Sequence, residues 1–198
     1  MMSSTLNFNS GSAGFAATIS TNQQELNLAT WATGQGWDGT MAATITVGSG
    51  VYIWSDNIAT PALTTGSFPN GLTLIVEGFI MGKGGDGGGN TPDVGSPTIL
   101  ASAGGPAISL GCDATILGGA AAYIGGGGGG GGNRAEDHTG GGGAGGGWGG
   151  NGGLDGEEYG GAGGAIGAAG GDGNGNSPES YVPGSGGGSG GAGSGYTP

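Results

Sequence analysis

Few side chains in this 198-residue chain have types suited to chemistry, and they lie far apart. Cys112 is the single cysteine and His138 the single histidine. Nucleophilic catalysis needs a thiol or hydroxyl held beside a base that a third group orients. Nothing in the sequence around either residue supplies that arrangement, so the chain does not read as an enzyme. Cys112 reads as a small buried hydrophobe, and His138 as a loop residue facing solvent or a binding partner. Gly82-Lys83-Gly84 has the glycines and lysine of a phosphate loop. It lacks the Ser or Thr after the lysine and the helix that must follow.

Calcium chemistry has more to work with. Asp172, Asn174 and Asn176 have the one-three-five spacing of an oxygen-rich loop, but Ser177 stands at the sixth position and Pro183 at the twelfth, where a bidentate Glu belongs. A solvated turn is the preferred reading, so no metal and no cofactor is assigned. The aromatic rings of Trp148 and Tyr159 suit a sugar or a protein surface. The run Asp155, Glu157, Glu158 suits solvent or a basic partner.

These residues must be positioned by an unusual scaffold. Of 59 glycines, 9 lie before residue 78 and 50 lie from Gly78 onward. The centre of the second half is the unbroken run Gly125 to Gly132, which has no side chain to bury and must be ordered, if at all, by its backbone. A period of three runs through its neighbours. Gly161, Gly164, Gly167, Gly170 and Gly173 form one face, with Ala162, Ala165 and Ala168 on a second. Gly184, Gly187, Gly190 and Gly193 repeat the pattern; Lys83 and Asp86, and Trp148, Asn151 and Leu154, fall three apart. Three residues per turn is the geometry of the polyproline II helix, whose backbone groups stay free for neighbouring rods. Strict Gly-X-Y with abundant proline, the collagen pattern, is missing.

The expected fold is therefore mainly β and irregular, in two parts. Residues 1–81 form a small amino-terminal β-rich attachment domain with one short helix. Residues 82–198 form a bundle of packed polyglycine II helices, the eight-glycine rod at its centre, with exposed connecting loops. In the first part a helix is expected over 23–32, with Asn22 as N-cap and Gly34 and Gly36 as stops. Strands are expected at Thr44 to Val47, Val51 to Trp54 and Leu72 to Val76, the last continued by Phe79 to Met81. An internal repeat links Pro61-Ala62-Leu63 and Leu72 to Met81 with Pro106-Ala107-Ile108 and Ala114 to Ile124, some 44 or 45 residues later. Each repeat sets an apolar strand before a glycine rod, and the strands are expected to stack as neighbours.

Rods joined end to end leave their connections at the tips of the bundle: Asn90 to Leu100, Asn133 to Thr139, Asp155 to Tyr159 and Asn174 to Pro183. With Trp148, they carry the candidate binding residues Arg134, Glu136, Asp137, His138, Asp155, Glu157, Glu158, Tyr159 and Tyr181. Varied side chains on a rigid scaffold make a binding surface.

Charge narrows the partners. The formal net charge is −12, with Lys83 and Arg134 the only lysine and arginine. Nucleic acid is thus not an expected partner. The longest apolar stretch, Leu72 to Met81, is too short to insert in a membrane, and no signal peptide is read at the start. Synthesis in a cytoplasm follows as the expectation.

The string Pro61 to Pro69, the strand after it and Gly82-Lys83-Gly84-Gly85-Asp86-Gly87-Gly88 resemble glycine-rich modules of tailed-phage tail-tip and tail-fibre proteins, and so does Leu26-Asn27-Leu28 through Gly36-Trp37. The carboxy-terminal half is similar to adhesins at the tips of long tail fibres, in which glycine rods form a polyglycine II sandwich. The resemblance implies a virion tail-tip or tail-fibre protein, made in the host cytoplasm, that recognises a bacterial surface receptor, protein or glycan, through loops between rods. It implies other phage tail proteins as partners and permits a homotrimer. Two other classes stay open: a purely structural tail component, and an ice-binding glycine-rich protein suggested by Ala162, Ala165 and Ala168.

Overall fold

The computed structural model describes residues 14–88 and 100–129, together with the backbone of 154–155 and 158–159. Eleven of its strands, in chain order, are β1 (Phe15–Ile19), β2 (Gln23–Gln24), β3 (Leu26–Asn27), β4 (Ala43–Val47), β5 (Tyr52–Trp54), β6 (Leu63–Thr64), β7 (Leu72–Val76), β8 (Phe79–Met81), β9 (Ile108–Ser109), β10 (Ala114–Gly118) and β11 (Tyr123–Gly125). They form three parallel sheets of order β1-β4-β7-β10, β11-β8-β5-β2 and β3-β6-β9. The chain thus winds as a three-faced solenoid: three rungs each give one strand to each face, and a fourth gives described strands to the first two faces, each rung stacking on the one before it.

Alternation along each strand decides what faces inward. On the first face, register aligns Ala17, Ile45, Leu74 and Ile116 in one column and Ile19, Val47, Val76 and Gly118 in another. Ile53 and Ile80 face inward from the second face, Leu26 and Leu63 from the third. Ile45, Val47, Ile53, Leu63, Leu74, Val76 and Ile80 are fully buried. The outward positions are of another kind: Thr44, Thr73 and Thr115 align on the first face, and the rings of Tyr52 and Phe79 stack on the second with centroids 4.6 Å apart. At the fourth rung the inward positions Ile116 and Ile124, which continue the columns of Leu74 and Ile80, are 37% and 41% exposed, so this end of the interior is open among the described residues.

The repeat read from sequence is the stacking of the third rung with its neighbours. Leu63 pairs with Ile108, Leu72 with Ala114 and Phe79 with Tyr123. The strand expected at Leu72 to Val76 is β7, but Phe79 to Met81 does not continue it. The chain turns a corner at Glu77-Gly78 and passes to the second face. A Cβ on Gly78 would press into the carbonyl oxygens of Val51 and Gly48, so the corner needs glycine there. The strands on either side of Gly48-Ser49-Gly50 likewise lie on different faces.

The helix is shifted from its expected place. Gln23–Gln24 and Leu26–Asn27 are strands, because their backbones pair with Ile53–Trp54 and Leu63–Thr64. Pairing with a formed rung outweighs the modest helix preference of Gln and Glu. The helix α1 runs Leu28–Gly34, and its N-cap is Asn27, whose Oδ1 accepts from the Thr30 N–H at 3.0 Å. It ends at the expected Gly34, and Gly36 follows at φ +97°. Leu28 and Ala32 are buried, and Trp37 packs on Phe68 beside them.

Thr65, fully buried, ties three rungs together. Its carbonyl accepts from Ala29 N–H at 3.1 Å, its N–H donates to Ser109 at 3.0 Å, and its Oγ1 accepts from Gly111 N–H at 2.8 Å. Cys112 is half-buried, its sulfur 3.9 Å from the same hydroxyl.

Candidate functional site

The described glycine segments all meet the solenoid at one corner, between the second and third faces. In the first rung this corner is the single residue Glu25; in the second it runs from Ser55 to Ala62. In the third it opens into the excursion that begins at Gly82 and returns through Gly105 to β9, and in the fourth the chain leaves β11 directly into the eight-glycine run. β9, β10 and β11 therefore lie past residue 82 and still belong to the solenoid, which draws on both sides of the expected boundary.

Three described segments meet at this corner: 82–88, 100–105 and 125–129. Gly82 N–H donates to Gly125 at 3.0 Å and Gly85 N–H to Gly128 at 2.8 Å, so the first and third run parallel. Gly105 N–H donates to Lys83 at 2.7 Å and Ser102 N–H to Asp86 at 2.9 Å, so the second runs antiparallel to the first. Gly127 N–H donates to Gly105 at 2.8 Å and closes the ring. The donors Gly82 and Gly85, the donors Ser102 and Gly105, and the acceptors Gly125 and Gly128 are each three residues apart, where a strand would use every second. Burial follows the same period: Lys83 and Asp86 are half-buried, and Gly82, Gly84, Gly85, Gly87 and Gly88 are buried.

Absence of side chains is what allows this approach. A Cβ on Gly82 would run into the Gly105 carbonyl, one on Gly104 into that of Gly127, and one on Gly127 into that of Lys83. Two points differ from expectation. Segment 100–105, Leu-Ala-Ser-Ala-Gly-Gly, joins the hydrogen-bonded set although it is poor in glycine, and Ser102 and Gly105 at an interval of three are its only signal in the sequence. Among the described residues, moreover, the enclosed segment is 82–88; Gly126, Gly128 and Gly129 are exposed.

The expected binding residues Arg134, Glu136, Asp137, His138, Trp148, Glu157 and Tyr181 lie outside the described residues, as do Asp172, Asn174 and Asn176. For Asp155, Glu158 and Tyr159 the backbone is described. β12 (Leu154–Asp155) and β13 (Glu158–Tyr159) pair antiparallel, with Leu154 opposite Tyr159 and Asp155 opposite Glu158. The structure thus brings these three candidates onto one short ribbon. Among the described residues no three His, Cys, Asp or Glu side chains group as a metal site, and no helix is long and apolar enough to cross a membrane.

A parallel solenoid that feeds glycine segments from one corner is a scaffold whose distinctive chemistry lies in backbone pairing. The particular scaffold is identified by comparison. The family model described as phage tail fibre adhesin Gp38 matches residues 14–197, and the chain belongs to that family. Among solved structures it is similar to a chain of the gp37-gp38 adhesin tip complex of the bacteriophage S16 long tail fibre, with a TM-score of 0.54 and 24% identity. That match covers 88% of this chain and 66% of the other, and at this identity the likeness is one of fold. A search of curated proteins gives no match. The protein is thus a tail fibre adhesin of the phage virion.

Proposed function

We propose that the chain recognises a bacterial surface receptor through the connections between its glycine segments, and that residues 82–198 hold those connections as a pack of polyglycine II helices. The observation that carries this reading is the ring of hydrogen bonds at three-residue intervals among segments 82–88, 100–105 and 125–129. It has the period of polyglycine II, and the same period continues in the sequence through Gly161 to Gly173 and Gly184 to Gly193. Side chains on the connections then provide the contacts: Arg134, Glu136, Asp137 and His138 on one, Asp155, Glu157, Glu158 and Tyr159 on the next, Tyr181 on the last, with Trp148 on the rod between.

The other end serves attachment. Among the described residues the first rung presents the outer edges of β1, β2 and β3, one on each face. Unpaired strand edges are templates for a further strand. The solved neighbour is a complex with gp37, and a fibre protein of that kind is the partner we assign to this rung. Binding, with no catalytic step, is then the whole of the activity.

Competition for host cells tests the reading. Purified chain should block phage adsorption, and a chain with Arg134, Asp137, His138, Glu158 and Tyr159 all replaced by Ser should not, while keeping its circular dichroism and melting temperature. Equal blocking by both chains would remove the assignment to the loops. No blocking by either would favour a purely structural component.

A further inference from the structure

We propose that the solenoid corner between the second and third faces sets the register of the glycine segments, so that they become ordered only on a folded solenoid. The proposal concerns how the rods are held and is independent of what their connections bind.

Glycine alone cannot define a register. Moving Gly125–Gly132 along a neighbour by one residue exchanges each glycine for an identical one, leaving the backbone bonds and the packing unchanged; glycine-rich strands are prone to this slippage. Something outside the run must choose among the alternatives. At this corner the structure has a stacked column of hydrogen bonds: Glu25 N–H to Trp54 at 2.8 Å, Ser55 N–H to Met81 at 3.3 Å and Gly82 N–H to Gly125 at 3.0 Å. Each donor is the residue immediately after its second-face strand, so every rung leaves that face at the same place.

The register then passes unbroken from strand to rod. Phe79 pairs with Tyr123 and Met81 with Gly125, in both cases 44 residues on. In a parallel ladder an N–H donates to the carbonyl of the residue before its partner, which here is 43 residues on. Gly82 to Gly125 and Gly85 to Gly128 keep that separation of 43, while the spacing between donors becomes three. Only the bonding period changes. The returning segment is fixed from its own side: Ala62 N–H donates to Pro106 at 3.2 Å, and a Cβ on Gly105 would stand 2.9 Å from Ile58 Cα in the corner below. All three segments thus take their alignment from side-chain-bearing rungs.

Hydrogen exchange on the full chain tests this. One glycine inserted between Gly82 and Lys83 puts Gly85 four residues beyond Gly82 while Gly128 stays three beyond Gly125, so the two bonds no longer fit one register. Protection at Gly85, Ser102 and Gly127 should fall by about tenfold or more, with Ile45, Ile53 and Leu74 unaffected. A matched variant adds one glycine at the solenoid end of each segment: after Gly82, after Gly125 and before Pro106. It realigns the rods with one another and should restore protection. Unchanged protection in the single insertion, or a matched variant no better than the single one, would overturn the proposal. Should an insertion unfold the whole chain, the unmodified protein in rising denaturant decides. Rod amides must exchange no later than those of β4 and β7, and rods that stay protected after the solenoid has opened would equally overturn it.

Discussion

Gly85→Ala is the most informative single substitution at the junction. An added Cβ would stand 2.7 Å from the Ser102 carbonyl carbon and 2.8 Å from that of Ala103, with the Ser102 oxygen closer still. These are main-chain atoms and cannot rotate away. Carbon atoms pack at about 3.5 Å or more, so segments 82–88 and 100–105 must part by at least about 0.8 Å, and by more to clear the Ser102 oxygen. The bonds from Gly105 to Lys83 at 2.7 Å and from Ser102 to Asp86 at 2.9 Å are then stretched to the limit of hydrogen bonding. Two such bonds contribute about 2 kcal/mol net, and the reduced freedom of alanine in the unfolded chain returns about 0.4 to 1 kcal/mol. A net loss of about 1 to 2 kcal/mol speeds exchange through local opening by roughly 5- to 30-fold. The amides of Ser102 and Gly105, followed by NMR or mass spectrometry, should show it, with those of Leu74 and Ile80 unchanged. Slower or unaltered exchange at Ser102 would refute the claim that bare backbone contact holds these segments.

Other expectations follow from the same structure. Leu74→Ala, at a fully buried site between Ile45 and Ile116, should cost about 2 to 5 kcal/mol in denaturant melts, whereas Ile116→Ala, 37% exposed at the open rung, should cost roughly half as much. Gly34→Ala should stabilise by about 0.4 to 1 kcal/mol, since a Cβ there meets nothing within 4 Å and φ is helical; a lower melting temperature would contradict this. The Met41 and Thr40 backbone N–H groups and the Thr40 hydroxyl hold the Asp38 carboxyl below its ordinary value. A depressed carboxylate contributes stability above its unfolded pKa and loses it as pH falls through the folded one. Asp38→Ala should therefore flatten the acid limb of a melting-temperature profile below about pH 4, and an unchanged slope would show that the turn carries no linkage.

Strands rich in apolar and β-branched residues were legible one by one. Leu72 to Val76 is the clearest, because its alternation matches a half-buried face. The repeat joining Pro61-Ala62-Leu63 to Pro106-Ala107-Ile108 also foretold stacking, since residues one rung apart occupy equivalent places. The three-faced winding was hidden. A turn such as Gly48-Ser49-Gly50 looks alike whether it reverses a hairpin or rounds a corner, and only pairing with other rungs distinguishes the two. Gln23 to Asn27 was misjudged because its extended form is imposed by β5 and β6, partners distant in sequence. Segment 100–105 was overlooked because alanine and serine dilute its glycine signal, although small residues at the contact positions are all that close approach requires. For the binding surface, sequence offers the connections and their charged and aromatic residues as candidates. Of these, only the pairing of Leu154–Asp155 with Glu158–Tyr159 has a described geometry.

The central claim is that the glycine-rich part is held by main chains bonded at three-residue intervals. Scalar couplings across hydrogen bonds, measured by NMR on labelled protein, test it most directly. Couplings should join the nitrogen of Gly82 to the carbonyl carbon of Gly125, Gly85 to Gly128, and Gly127 to Gly105. Random-coil shifts for these glycines, with no coupling between segments, would contradict it.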